Sequence, residues 1–165
     1  MGILPEDSVL AVRRSIHIRA PQARVWEELA SFSRMDAWWG IKIGVPEAGT
    51  AKGQWLDVYE PWVGGRIQMS VNWGGARVGF GGAIRRFEPP EILSFENDWI
   101  PNRGWLAPTM MTLRLTPALG GTLVELFHHH FERTGGDVGA THAGYEEGWG
   151  MTQLAALKRI VEVPK

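Results

Sequence analysis

Ile67, Met69, Val71 and Trp73 alternate without a break with Arg66, Gln68, Ser70 and Asn72, and glycine pairs stand on both sides, at 64–65 and 74–75. Side chains of a strand point alternately to its two faces, so this segment puts an apolar face on a core and a polar face toward water. The flanking glycines are turn signals. Strands joined by turns this short run antiparallel, because parallel neighbours need a crossover of a dozen residues or more. The segment therefore predicts an antiparallel meander with one face left for something else to cover.

The rest of the chain fits that plan. Val9–Arg19 ends in alternation, with Ile16 and Ile18 opposite Ser15, His17 and Arg19. Pro21 suits the first turn of a helix, PQARVWEELASF, where its missing N–H costs nothing. SRMDAWWG follows as a second short helix, with Ser33 as its cap and Gly40 as its stop. Between Gly40 and Glu60 the pattern is weak, and only Gln54–Tyr59 reads as a strand. Arg77–Phe87 is a strand interrupted by Gly79, Gly81 and Gly82, which mark a bulge or a sharp bend. Pro89-Pro90 turns the chain into Ile92–Trp99, where Leu93, Phe95, Asn97 and Trp99 share a side and Asn97 is the polar exception. A loop from Pro101 to Pro108 leads to a hairpin, Thr109–Thr116 and Thr122–Glu132 around ALGG. Ala140–Glu162 reads as one long helix, although Gly144, Gly148 and Gly150 lie in its first half. Glycine there costs up to about 1 kcal/mol relative to alanine, which close approach of another element or a ligand would explain.

The 165 residues suit one domain, 1–165, with no room for two ordinary ones. There is no cysteine, which rules out disulfides, thiolate metal sites and cysteine nucleophiles, and is compatible with a cytoplasmic location. Net charge is −1 with both signs scattered, so nucleic acid and anionic membranes are not expected partners. MGILPEDSVLAV carries early acids and no long apolar run, so neither a signal peptide nor a membrane span is expected there.

The order of elements and five strings resemble the SRPBCC, or START/Bet v 1-like, superfamily. The strings are RVWEELASFSRMDAWWG (24–40), VGGRIQMSVNW (63–73), IRRFEPPEILSFENDW (84–99), GGTLVELFHHHFER (120–133) and HAGYEEGWGMTQLAAL (142–157). Within the superfamily the chain looks like the branch named after the C-terminal domain of the Hsp90 ATPase activator. The resemblance implies an α+β helix-grip fold: a curved seven-stranded antiparallel sheet around a long C-terminal helix, with two short helices after the first strand. It also implies a cavity between the concave sheet and that helix. HHHFER followed by EEGWG is similar, more weakly, to the self-sacrifice resistance proteins for the enediyne calicheamicin. Two positions depart from the branch pattern. Asn97 stands where an aromatic is common, which makes a cavity wall more polar. Phe127 stands where a charge is common, an apolar spot that a homodimer would cover.

Nine tryptophans against two tyrosines exceed what a core of this size needs. In the implied fold, Trp38, Trp73, Phe80, Phe95, Trp99 and Trp149 surround one space, with Met69, Met110 and Met111 as adaptable lining. Apolar walls with few polar groups describe a small-molecule site. The polar groups would be Asn97, His128 and His130. Alternation from Val124 through Leu126 places His128 and His130 on the concave face and His129 on the other. The two histidines are candidates for orienting a ligand, and for acid–base catalysis because imidazole titrates near neutral pH. Together with His142 and Glu146 they are weighed as metal ligands, but no tight motif such as HExxH is present, and neither a metal nor a cofactor is expected. Neither a phosphate loop nor a GxSxG elbow is present. The expected function is binding of a hydrophobic, aromatic or polyketide-like small molecule. The alternatives are a cofactor-free cyclase or dehydratase, enediyne-type resistance, and, ranked last, a protein-interaction module.

Overall fold

The computed structural model describes residues 4–40, 42–43, 52–73, 76–146 and 150–163. Its strands are β1 (Ala11–Ile18), β2 (Lys42–Ile43), β3 (Lys52–Tyr59), β4 (Arg66–Trp73), β5 (Ala76–Glu88), β6 (Ile92–Ile100), β7 (Thr109–Ala118) and β8 (Gly121–His129). Its α-helices are α1 (Gln22–Trp26), α2 (Phe32–Trp39), α3 (Val138–Glu146) and α4 (Met151–Glu162). The seven long strands form the expected antiparallel meander, and two-residue β2 adds a stub at one edge, giving the order β1-β8-β7-β6-β5-β4-β3-β2. The first strand closes against the last in register, Val12 opposite His128 and Ile18 opposite Thr122. The architecture is the α+β helix grip.

The alternation in β4 holds for its apolar side but not throughout its polar one: Ser70, expected toward water, is buried, and its hydroxyl accepts from Arg77 Nε at 2.7 Å. Ile67 and Met69 are buried, at 0 % and 1 % exposure, while Arg66 is exposed. The bulge or bend expected at the β5 glycines is not where the ladder breaks: pairing with β4 runs through them in register, and the shift against β6 falls between Ile84 and Arg86. Gly81 has φ +134°, and a Cβ there would lie 2.1 Å from the Ile67 carbonyl oxygen of β4. A Cβ on Gly82 would lie 2.5 Å from the Glu96 carbonyl oxygen of β6. Only bare backbone allows both neighbours to come so near.

The sheet closes on α4, which packs against β1 and α2. Leu154 and Leu157 are fully buried and join Ile67, Phe95, Leu113, Val124 and Leu126 in one core. Burial of each such side chain stabilises the fold by about 1.5–3 kcal/mol. The short helices are tied in by Glu28, whose carboxylate takes hydrogen bonds from Arg24 (2.5 Å) and Arg34 (3.2 Å). Its backbone carbonyl accepts from Trp38 Nε1 at 2.9 Å. Ser31, not Ser33, caps α2, accepting from Arg34 N, so the helix starts two residues earlier than the sequence suggested.

Two other expectations need correction. The single helix over Ala140–Glu162 is two helices, because Gly150 is left-handed at φ +99° and stands before α4 with room only for Leu126 and Arg14 beside it. Gly148 and the Gly74-Gly75 turn lie outside the described residues. Phe127 offers no apolar spot: it is 7 % exposed and the Arg114 guanidinium sits 5.0 Å above its ring. Among the described residues no helix is long and apolar enough to cross a membrane.

Candidate functional site

A pocket of about 180 Å³ opens on the concave side of the sheet, lined by Gln54, Val71, Phe80, Asn97, Trp99, Met111, His128 and Tyr145. Six strands, β3 to β8, and helix α3 each contribute to it. The period-two geometry explains the selection. Asn97 and Trp99 are two apart on β6, and Phe80 of β5 is paired with Trp99 across the ladder. The Phe80 and Trp99 rings meet edge to face, with centroids 6.0 Å apart. Trp99 in turn lies 6.4 Å from Trp105 of the loop before β7.

The polar end is built around Thr109. Its hydroxyl donates to the Asn97 carbonyl oxygen at 2.8 Å, which uses its only hydrogen. The 2.7 Å contact between Thr109 Oγ1 and His128 Nε2 therefore has the imidazole as donor. His128 is fully buried, and burial pushes its pKa down to about 3, helped by the nearby His129 and His142. A neutral ring with its proton on Nε2 leaves Nδ1 as an acceptor. Phe131 and Tyr145 flank the ring, each with its centroid 4.5 Å away. Burial, and then Asp98, raises the Tyr145 pKa to about 12, so the phenol keeps its proton. Asn97 is 3 % exposed, and its Oδ1 has no hydrogen-bond partner among the described residues.

Five of the residues named from sequence, Phe80, Asn97, Trp99, Met111 and His128, come together in this pocket. Trp38, Met69 and Phe95 do not line it. They lie in the core beneath it, where Trp39 Nε1 meets the Met69 sulfur and the Trp39 and Phe95 rings are 6.4 Å apart. The side chain of Trp73, and the whole of Trp149, lie outside the described residues.

His130 is placed elsewhere. β8 ends at His129, and His130 turns left-handed at φ 63°, which breaks the alternation that paired it with His128. Its ring lies against His129, with Nδ1 atoms 2.7 Å apart, and His129 continues through Thr112 (2.8 Å) to Ser94 (2.9 Å). Burial lowers the His129 pKa to about 3 as well. His142 meets the Ala11 carbonyl oxygen at 3.0 Å and stands 3.9 Å from Glu146. No group of three or more potential metal ligands occurs among the described residues.

Sequence reasoning missed Gln54, Val71 and Tyr145; Val71 was placed on the apolar face of β4 but not in the site. Gln54 sits next to a register shift in β3, between Leu56 and Val58, which blurs the alternation. Tyr145 reaches the pocket from α3, and its one signal was being one of only two tyrosines.

A family model described as activator of Hsp90 ATPase homolog 1-like protein matches residues 19–162. No curated protein matches the chain. Solved structures share the fold. A protein from Rhodobacter sphaeroides is 22% identical with a TM-score of 0.69, over 93% of this chain and 93% of that one. The Aha1 dimer from Colwellia psychrerythraea is 15% identical with a TM-score of 0.57, over 94% and 98%. DynU16, a protein of the dynemicin biosynthetic locus, is 20% identical with a TM-score of 0.57, over 93% of this chain but 47% of its own.

Proposed function

The chain belongs to the activator of Hsp90 ATPase homolog 1-like family, and from that premise we propose that it binds a small aromatic molecule in the pocket between β3–β8 and α3. Small hydrophobic ligands are what this family generally binds. The observation that carries the reading is the composition of the wall: Val71, Phe80, Trp99 and Met111 supply apolar surface, and a few convergent polar groups sit at one end. Titration with a panel of aromatic compounds should quench tryptophan fluorescence, because Trp99 is in the wall. A folded sample that responds to none of them would sink the reading.

The alternatives carry less. An imidazole whose pKa is near 3 is a poor match for a general base at neutral pH, and His130 is on the other face. Holding a whole enediyne is disfavoured because the pocket, about 180 Å³, is below the roughly 300 Å³ that drug-sized ligands occupy. A homodimer, the arrangement named for the Colwellia protein, would need a surface other than the covered Phe127. Light scattering on the purified chain reads that directly.

A further inference from the structure

Resting on the pocket reading above, we propose that the ligand is a neutral single-ring phenol whose hydroxyl donates a hydrogen bond to Asn97 Oδ1. Three observations converge on this class.

The first is size. The pocket holds about 180 Å³. A dry cavity of about 150 Å³ takes benzene, so one ring fits here with a little room for substituents. Drug-sized ligands need pockets of roughly 300 Å³ or more.

The second is the orphan acceptor. Asn97 is nearly fully buried, lines the pocket and leaves Oδ1 without a hydrogen-bond partner among the described residues. A buried acceptor left unpaired is costly, and a ligand that brings a donor removes that cost on binding. A hydrocarbon of the same shape cannot. Sites built to pair a ligand hydroxyl discriminate strongly against analogues that lack it.

The third is charge. None of the eight lining residues is Lys or Arg, and the one titratable base among them, His128, is held neutral by burial. With its Nε2–H committed to Thr109, His128 offers no donor at the end of the pocket where Asn97 Oδ1 is the acceptor. Acceptors repel a phenolate and favour a neutral O–H. Phe80 and Trp99, edge to face in the wall, supply the aromatic contact, and the Arg103 guanidinium lies 5.7 Å from the Trp99 ring centroid.

The test compares p-cresol with toluene and 4-methylanisole, which keep the ring and remove the donor. Binding of each to the full chain is measured by calorimetry and by tryptophan quenching. The expected result is that p-cresol binds at least about tenfold more tightly than either, about 1.4 kcal/mol. In Asn97→Leu that gap should close. A second arm uses 4-nitrophenol, whose hydroxyl ionises near neutral pH: its affinity should fall as pH rises through its own pKa. Equal affinity for the three cresol-series ligands overturns the phenol proposal and leaves the aromatic-binding reading standing. So does binding of larger aromatics but no single-ring ligand, or binding of 4-nitrophenolate as tight as that of the neutral form. No response to any aromatic compound removes both. If Asn97→Leu fails to fold, the ligand series on the unmodified chain still decides.

Discussion

Acid should destabilise this protein well before its carboxylates are protonated, and His128 allows the effect to be calculated. In the unfolded chain a histidine titrates near 6.5; in the fold His128 and His129 are both pushed down to about 3, chiefly by burial. Between those values the unfolded state binds protons that the native state refuses, so stability rises with pH there. The contribution is complete above pH 6.5 and is lost as pH falls toward 3. Each unit of the gap corresponds to about 1.4 kcal/mol, so each histidine removes about 2 kcal/mol at pH 5 relative to pH 8. Glu6, Glu132 and Glu162 are held below the ordinary carboxylate range, so their share is lost only at more acid pH. Urea titrations at several pH values between 8 and 5 measure the effect. His128→Gln, which keeps a donor for Thr109 and cannot titrate, should lose about 2 kcal/mol less than the unmodified chain over that interval. His129→Gln should behave likewise. Parallel curves for the unmodified chain and His128→Gln would mean that His128 is not held neutral in the fold, and the tautomer argument at Thr109 would go with it.

Three other substitutions have clear expectations. Phe95→Ala removes a fully buried ring next to Trp39 and should cost about 3–5 kcal/mol in chemical denaturation. Gly81→Ala places a methyl group on the Ile67 carbonyl at a φ that L-residues avoid; the backbone conformation alone costs about 1–3 kcal/mol, and the clash adds to it, which a drop in thermal midpoint would record. Tyr59→Phe removes the 2.6 Å hydrogen bond to the Leu29 carbonyl and should cost about 1–2 kcal/mol in the same denaturation assay.

Much of the architecture was legible because a strand's period of two is a local property. Ile67 and Met69 went inward, and Leu93, Phe95 and Asn97 shared a face, as the spacing required. The site was less legible, for two physical reasons. Alternation says which face a side chain takes but not how deep it lies, so Met69 and Phe95 could not be told from pocket residues before the sheet's curvature was known, and Trp38 depended on where α2 packs. Alternation also fails where the backbone leaves the strand. His130 sits one residue past the end of β8, and its left-handed φ sends the ring to join His129 instead of His128. Tyr145 depended on where α3 lands, which no local pattern encodes. Gly150 carried a readable warning: a glycine inside a helical pattern marked the point where the helix is in fact divided.

The close backbone packing at two β5 glycines has a consequence for anyone who would alter the ligand preference. At Gly81 and Gly82 the carbonyls of both neighbouring strands occupy the space a side chain would need. Any residue larger than glycine there must push a neighbouring strand's backbone aside, so these two positions are poor places to vary. Diversity must come from positions around these glycines, from Val71 and Phe80 on one side and Trp99 and Met111 on the other. A library confined to those four sites would explore many ligands on an unchanged frame, whereas one that included 81 and 82 would carry the destabilisation expected of Gly81→Ala in most of its members.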